Sequence, residues 1–142
     1  MENNFTRIAI GSNADIVEAR QKGRSMAVEL GFTDSDLTMV AAAISEIARN
    51  IVDHAQSGEI VVSCIVQDCR QGIIVIANDK GPGIKDVFKA MLYGYSTGEG
   101  LGVGLPGAKW LMDEFEIETK IGVGLTVTMK KWLPQSSCFD SK

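Results

Sequence analysis

Apolar and polar positions change period several times along the chain, and each change marks an element. Phe5–Ile10 alternates as a strand does. Ser12 and Asn13 offer caps for a helix running to about Leu30, where Gly31 suits a left-handed end. Asp34 or Ser35 caps a second, longer helix that ends near His54–Ala55; on it Leu37, Val40, Ala41, Ile44, Ile47, Ala48 and Ile51 recur at helical spacing. Ile60–Val66 and Ile73–Ala77 are β-branched runs that read as a hairpin across Asp68–Gly72. A glycine turn at Asp79–Gly83, a short helix over Lys85–Leu92 and a glycine-rich loop over Tyr95–Gly104 come next. Leu105–Phe115 reads as a third main helix with Pro106 in its first turn, and Glu116–Lys120 and Leu125–Lys131 as a closing hairpin. The order β, α, α, β, β, loop, α, β, β predicts an α/β (α+β) two-layer sandwich with a mixed, largely antiparallel sheet and helices on one face. Residues 1–133 form one domain in this reading, and 134–142 a loose polar tail.

One flank of the second helix departs from the apolar pattern. Met39, Ala43, Glu46 and Asn50 follow one another at i, i+4, i+7 and i+11, so a carboxylate and a carboxamide extend an otherwise apolar line. Helix flanks are often polar, and a surface Glu–Asn pair is one reading. The other is that the flank borders a cleft. There Asn50 offers a neutral oxygen to Mg²⁺, and Glu46, one turn earlier, can accept a proton or orient an attacking hydroxyl.

Three glycine clusters sharpen the second reading. In Asn78–Asp79–Lys80–Gly81–Pro82–Gly83 a carboxylate at a strand end can accept from an exocyclic amine, while Gly81 and Gly83 let a flat base approach the backbone. Gly98, Gly100, Gly102 and Gly104 alternate through Ser96, Thr97, Leu101 and Val103 directly before a helix; exposed N–H groups and a helix N-terminus together favour phosphate. Gly122–Val123–Gly124 suits a tight hairpin turn. Gly102, Gly104 and Gly107 also spell G-x-G-x-x-G, but no strand leads into them, which removes the dinucleotide-binding context. Gly102 and Gly107 have P-loop separation, yet Ala108 stands where the lysine must be. The His-Arg-Asp and Asp-Phe-Gly signatures of eukaryotic-type protein kinases are absent.

Composition adds exclusions. The 142 residues are 45% hydrophobic and 23% charged with net charge −4, so the chain suits one globular domain and gives no reason to expect nucleic acid. Met1–Ile10 holds no long apolar stretch, so neither a signal peptide nor a membrane-spanning helix is expected. Cys64, Cys69 and Cys138 are an odd number without a CxxC and read as reduced thiols of a cytoplasmic protein; with His54 the single histidine, a zinc cluster has too few ligands.

In order, Glu46-x-x-x-Asn50, Asp79-x-Gly81-x-Gly83, Gly100-x-Gly102-x-Gly104 and Gly122-x-Gly124 resemble the boxes of the GHKL ATPase superfamily. Length favours its free-standing anti-sigma-factor-type serine/threonine kinases. Asp15–Gln21, Ala43–Asn50, Gly104–Gly107 and Leu111–Phe115 look most like the RsbT-type switch kinases of the stressosome. The resemblance implies a Bergerat fold and ATP with Mg²⁺ as cofactors. It implies a STAS-domain partner phosphorylated on serine or threonine, and a PP2C-type phosphatase that the kinase activates. It makes Glu46 the catalytic carboxylate, Asn50 the Mg²⁺ ligand and Asp79 the reader of adenine beside Gly81 and Gly83. Ser96, Thr97, Gly98, Gly100, Leu101, Gly102, Val103, Gly104 and Leu105 become the phosphate-binding lid. Many members carry Thr straight after the last glycine pair; here Leu125 stands there, leaving Thr126 as the candidate substitute or the pocket drier. Arg20 and Arg24, one turn apart on the first helix, read equally as a solvated face or a docking patch. The alternative function is a nucleotide-gated binding module, an anti-sigma factor or phosphatase activator with little kinase activity.

Overall fold

A computed structural model of the chain describes residues 5–81 and 104–134. The expected helix over 85–92, most of the glycine-rich loop and the tail from residue 135 lie outside them. The described elements are β1 (Phe5–Ile10), α1 (Asn13–Leu30), α2 (Asp34–His54), β2 (Gly58–Gln67), β3 (Arg70–Asp79), α3 (Gly104–Leu111), β4 (Glu114–Lys120) and β5 (Gly124–Trp132). They follow the order read from the sequence. The strands form one sheet, β1-β2-β3-β5-β4, and every pairing among them is antiparallel, so the expected mixture does not occur among the described strands.

Local chemistry sets the helix ends. The Asp15 carboxylate accepts from the backbone N–H of Gly11 (2.8 Å) and Ser12 (3.1 Å), so α1 starts at the expected Ser12. It ends on Gly31 at φ 98°, whose N–H returns to the Ala27 and Val28 carbonyls. For α2 the cap is Thr33 rather than Asp34 or Ser35. The Thr33 hydroxyl accepts from the Asp36 N–H at 3.3 Å, leaving Asp34 and Asp36 inside the first turn, where the helix dipole favours them.

Two other boundaries move for sheet reasons. The β2–β3 turn is only Asp68–Cys69, both at positive φ (53° and 66°), with Gln67 opposite Arg70. That two-residue geometry matches the twist of its strands, so Arg70–Gly72 joins the ladder instead of the loop. Helix α3 stops at Leu111, four residues before the expected Phe115, because the chain is captured by the sheet edge: Asp113 N–H donates to the Lys130 carbonyl and Glu114 pairs with Lys130. Cys69 is disulfide-bonded, which corrects the expectation of reduced thiols at that position.

The core lies between the sheet and the helices. Ile60 and Val62, Ile73, Val75 and Ala77, and Val127 and Met129 alternate inward from β2, β3 and β5. They meet Val40, Ile44, Ile47 and Ile51 of α2, the helix whose apolar face the sequence had marked. Side chains of this size contribute roughly 1.5–3 kcal/mol each on burial. Helix α1 lies on α2 through the buried small residues Ala19, Gly23 and Ala27, which lets the two helices approach closely. Helix α3 packs on α2 and buries Leu105 and Ala108. The C-terminal end of α2 is thereby placed beside the ends of β2 and β3, with Ile51 against Gly58 and Ala55 against Gly81.

Candidate functional site

Asp79 is the last residue of β3 and faces the helices, in step with Ile73, Val75 and Ala77. The residue is 7% exposed. Burying a carboxylate is costly unless it is hydrogen-bonded. Its Oδ1 accepts from the Gly81 N–H at 2.9 Å, which fixes the turn in the form expected of an aspartate two residues before a glycine. Among the described residues that N–H is the one donor bonded to this group; a carboxylate has a second oxygen for another donor.

Gly81 is required there by space. A Cβ on it would sit 2.6 Å from the Ala55 Cβ and 2.9 Å from the Ala55 Cα. Ala55 is the C-cap of α2, five residues beyond Asn50. The Asp79 turn is thus pressed against the end of the helix that carries Glu46 and Asn50. Both of those residues are half-buried, on the flank shared with half-buried Met39 and fully buried Ala43. The flank is therefore partly covered, a degree of burial that both the surface and the cleft readings allow.

Gly124 supports the same turn from the sheet. It has φ 155°, and a Cβ on it would overlap the Asp79 carbonyl oxygen and lie 3.1 Å from both the Asp79 carbonyl carbon and the Lys80 Cα. The third glycine cluster is more than a hairpin turn, since it allows β5 to close on the strand end that presents Asp79. Neither Ala55 nor this role of Gly124 was found in the sequence. A small residue at a helix end carries no signal by itself, and Gly124 was already accounted for by its turn.

Thr126 does not belong to the cluster. In β5 the residues facing the helices are Leu125, Val127 and Met129; Thr126 is on the other face, where its hydroxyl donates to Asn78 Oδ1 at 3.2 Å. Side-chain direction alternates along a strand, so the one-residue offset from the family position changes face. Leu125 is opposite Asp79 and 5% exposed, and the wall at that point is apolar. Gly83, Ser96, Thr97, Gly98, Gly100, Leu101, Gly102 and Val103 lie outside the described residues. Gly104 opens α3 and Leu105 is buried against the core. Arg20 and Arg24 are exposed on α1, together with Val17 and Val28. No described helix is long and apolar enough to cross a membrane.

The buried Asp79 carboxylate has an oxygen open to a further donor, the chemistry an exocyclic amine would meet. Gly81 and Gly124 let the end of α2 and strand β5 close on the turn that follows the buried Asp79 carboxylate, and the same helix carries a carboxylate, Glu46, and a carboxamide, Asn50. Comparison with known proteins agrees. Residues 11–131 match the model of the histidine kinase-like ATPase domain. The chain is 45% identical over 131 residues to the serine/threonine-protein kinase RsbT of Bacillus subtilis (strain 168), covering 92% of this chain and 98% of that one. It is 33% identical over 121 residues to an anti-sigma F factor of Caldanaerobacter subterraneus subsp. tengcongensis, covering 81% and 83% respectively. Among solved structures, the RsbU and RsbW domains of a Mycobacterium tuberculosis protein superpose with a TM-score of 0.61 at 24% identity. That match covers 94% of this chain but 34% of that one, and it supports the fold alone.

Proposed function

The chain belongs to the histidine kinase-like ATPase family, and from that premise we propose that it is a serine/threonine protein kinase that moves the γ-phosphoryl group of Mg-ATP to a partner protein in partner-switching control of a sigma factor. The observation that carries the reading is the near full-length similarity to a serine/threonine-protein kinase; the packing of Gly81, Gly124 and the end of the helix bearing Glu46 and Asn50 around the Asp79 turn supports it.

Each residue has a role in keeping with its place. Asp79 takes the exocyclic amine of adenine in the turn that Gly81 and Gly83 form. Asn50 supplies a neutral oxygen for Mg²⁺, which offsets phosphate charge when bound. The stretch from Ser96 to Leu105 wraps the triphosphate, with the N-terminus of α3 contributing backbone N–H groups. Glu46 orients the hydroxyl of the acceptor and takes its proton. Phosphoryl transfer depends mainly on positioning and on stabilising charge, so little covalent chemistry falls to the protein. A STAS-domain protein is the acceptor, a PP2C-type phosphatase is the second partner, and the cytoplasm is the place of action. The similarity to an anti-sigma F factor keeps a second reading, a nucleotide-gated module that holds a regulator with little transfer.

Incubation with γ-labelled ATP and candidate STAS-domain proteins separates the two readings. Label on a serine or threonine of the acceptor, lost by at least ~100-fold in Glu46→Ala while ATP affinity stays within about twofold, is the expected result. Stable complex formation without transfer favours the binding module, and full activity in Glu46→Ala removes the role given to that residue.

A further inference from the structure

Lys131 is buried, 7% exposed, on the helix-facing side of β5. An ammonium removed from water needs partners. Its Nζ donates to the Leu111 carbonyl at 3.0 Å and lies 3.8 Å from Asp113 Oδ1 and 3.9 Å from Asp36 Oδ1. Those groups belong to three segments: the last residue of α3, the entry to β4 and the first turn of α2. A cation at a helix C-terminus meets carbonyls with no intrahelical partner and the negative end of the dipole.

Helix α3 depends on such outside support. It has eight residues, Gly104-Leu-Pro-Gly-Ala-Lys-Trp-Leu111, and two of them are glycine and one proline. A helix so short and so poor in helix formers does not hold itself in water. Its N-terminal residue, Gly104, is the last of the glycine run; its C-terminal carbonyl is held by Lys131, about 12 Å away at 1.5 Å per residue. One end of this short helix is thus the last glycine of the run, and the other is held by the buried cation.

We propose that Lys131 is a positioning residue for the triphosphate: by capping α3 and tying it to the first turn of α2, it holds the helix whose N-terminus receives the phosphates. The inference rests on the ATP-binding reading and deepens it. A protein whose binding-competent arrangement is only partly populated shows a weaker apparent affinity by that fraction. The loss falls on ligands that use the N-terminus of α3, and not on the adenine end held by Asp79.

The test compares the full chain with Lys131→Met and Lys131→Arg. Thermal denaturation first fixes a temperature at which all are folded; Mg-ATP is then titrated by calorimetry and adenosine by NMR shifts. Lys131→Met is expected to weaken Mg-ATP roughly tenfold, the worth of one charge-assisted hydrogen bond, and adenosine by less than about twofold. Lys131→Arg, which keeps the cation, is expected to recover most of the loss. Unchanged Mg-ATP affinity, or equal weakening of both ligands, overturns the proposal, because a merely structural lysine would not select the phosphates. Should Lys131→Met fail to fold, Asp36→Asn removes one of the tethers and is expected to give a smaller loss of the same selectivity; equal effects on both ligands overturn it again. A wild-type chain that binds adenosine but no Mg-ATP contradicts the ATP reading itself.

Discussion

Replacing Gly124 by alanine perturbs the adenine end of the cleft from a distant point in the sequence. The added methyl overlaps the Asp79 carbonyl oxygen and sits 3.1 Å from two further backbone atoms, below the 3.5–4.0 Å at which carbon atoms attract. Because the obstacle is backbone and not a flexible side-chain end, β3 and β5 must separate at their last rung. Such overpacking costs about 1–3 kcal/mol. Holding alanine at φ 155° costs about 1–3 kcal/mol more. The less flexible unfolded chain returns about 0.4–1 kcal/mol. The net loss is about 1–6 kcal/mol, to be set against the 5–15 kcal/mol of an ordinary domain. Asp79 is displaced with the strand, so Mg-ATP affinity falls by about tenfold or more, as for one lost hydrogen bond to a charged group. Urea unfolding gives the stability, and titration with Mg-ATP at low denaturant gives the affinity. Gly122→Ala is the control: at φ 79°, with nothing within 4 Å of a Cβ, it bears backbone strain alone and keeps its affinity. A Gly124→Ala protein within about 0.5 kcal/mol of wild type, or one destabilised as stated yet binding Mg-ATP normally, refutes the argument that Gly124 supports Asp79.

Thr126→Val removes a hydroxyl that bonds Asn78 on the far face of the sheet, so Mg-ATP affinity is expected to stay within about twofold; a tenfold loss would place Thr126 in the cleft after all. Thr33→Ala is expected to lower the urea midpoint by the equivalent of about 1 kcal/mol and leave nucleotide binding unchanged, whereas a loss found only in Asp34→Ala would return the cap to Asp34.

Much of the frame was legible because it is written locally. Ser12 and Gly31 bound α1 by chemistry contained within one turn, and the seven apolar positions of α2 define its buried face without reference to any other element. The same holds at the site for Asp79 and Gly81, two residues apart at a strand end, and for the flank on which Glu46 and Asn50 stand. What the sequence hid depends on contacts across the fold. The helical spacing of Leu105, Ala108 and Met112 continues to Phe115, but pairing of Glu114 with Lys130 draws that end into the sheet. Thr126 has the right chemistry, and only the register with Asn78 places it on the wrong face. Ala55 matters through the space it leaves for Gly81, and Lys131 through three segments that meet around it. None of these is visible in a window of neighbouring residues.

The central claim is that nucleotide lies between the Glu46–Asn50 flank of α2 and the Asp79 turn. Backbone NMR of the full chain titrated with Mg-ATP tests it most directly. The account predicts shift changes concentrated at Asn50, Ala55, Asp79, Gly81 and Gly104, with little at the outer face. Changes centred instead on the outer-face hollow lined by Glu116, Glu118, Thr126 and Thr128, with Asp79 and Gly81 unmoved, would contradict it.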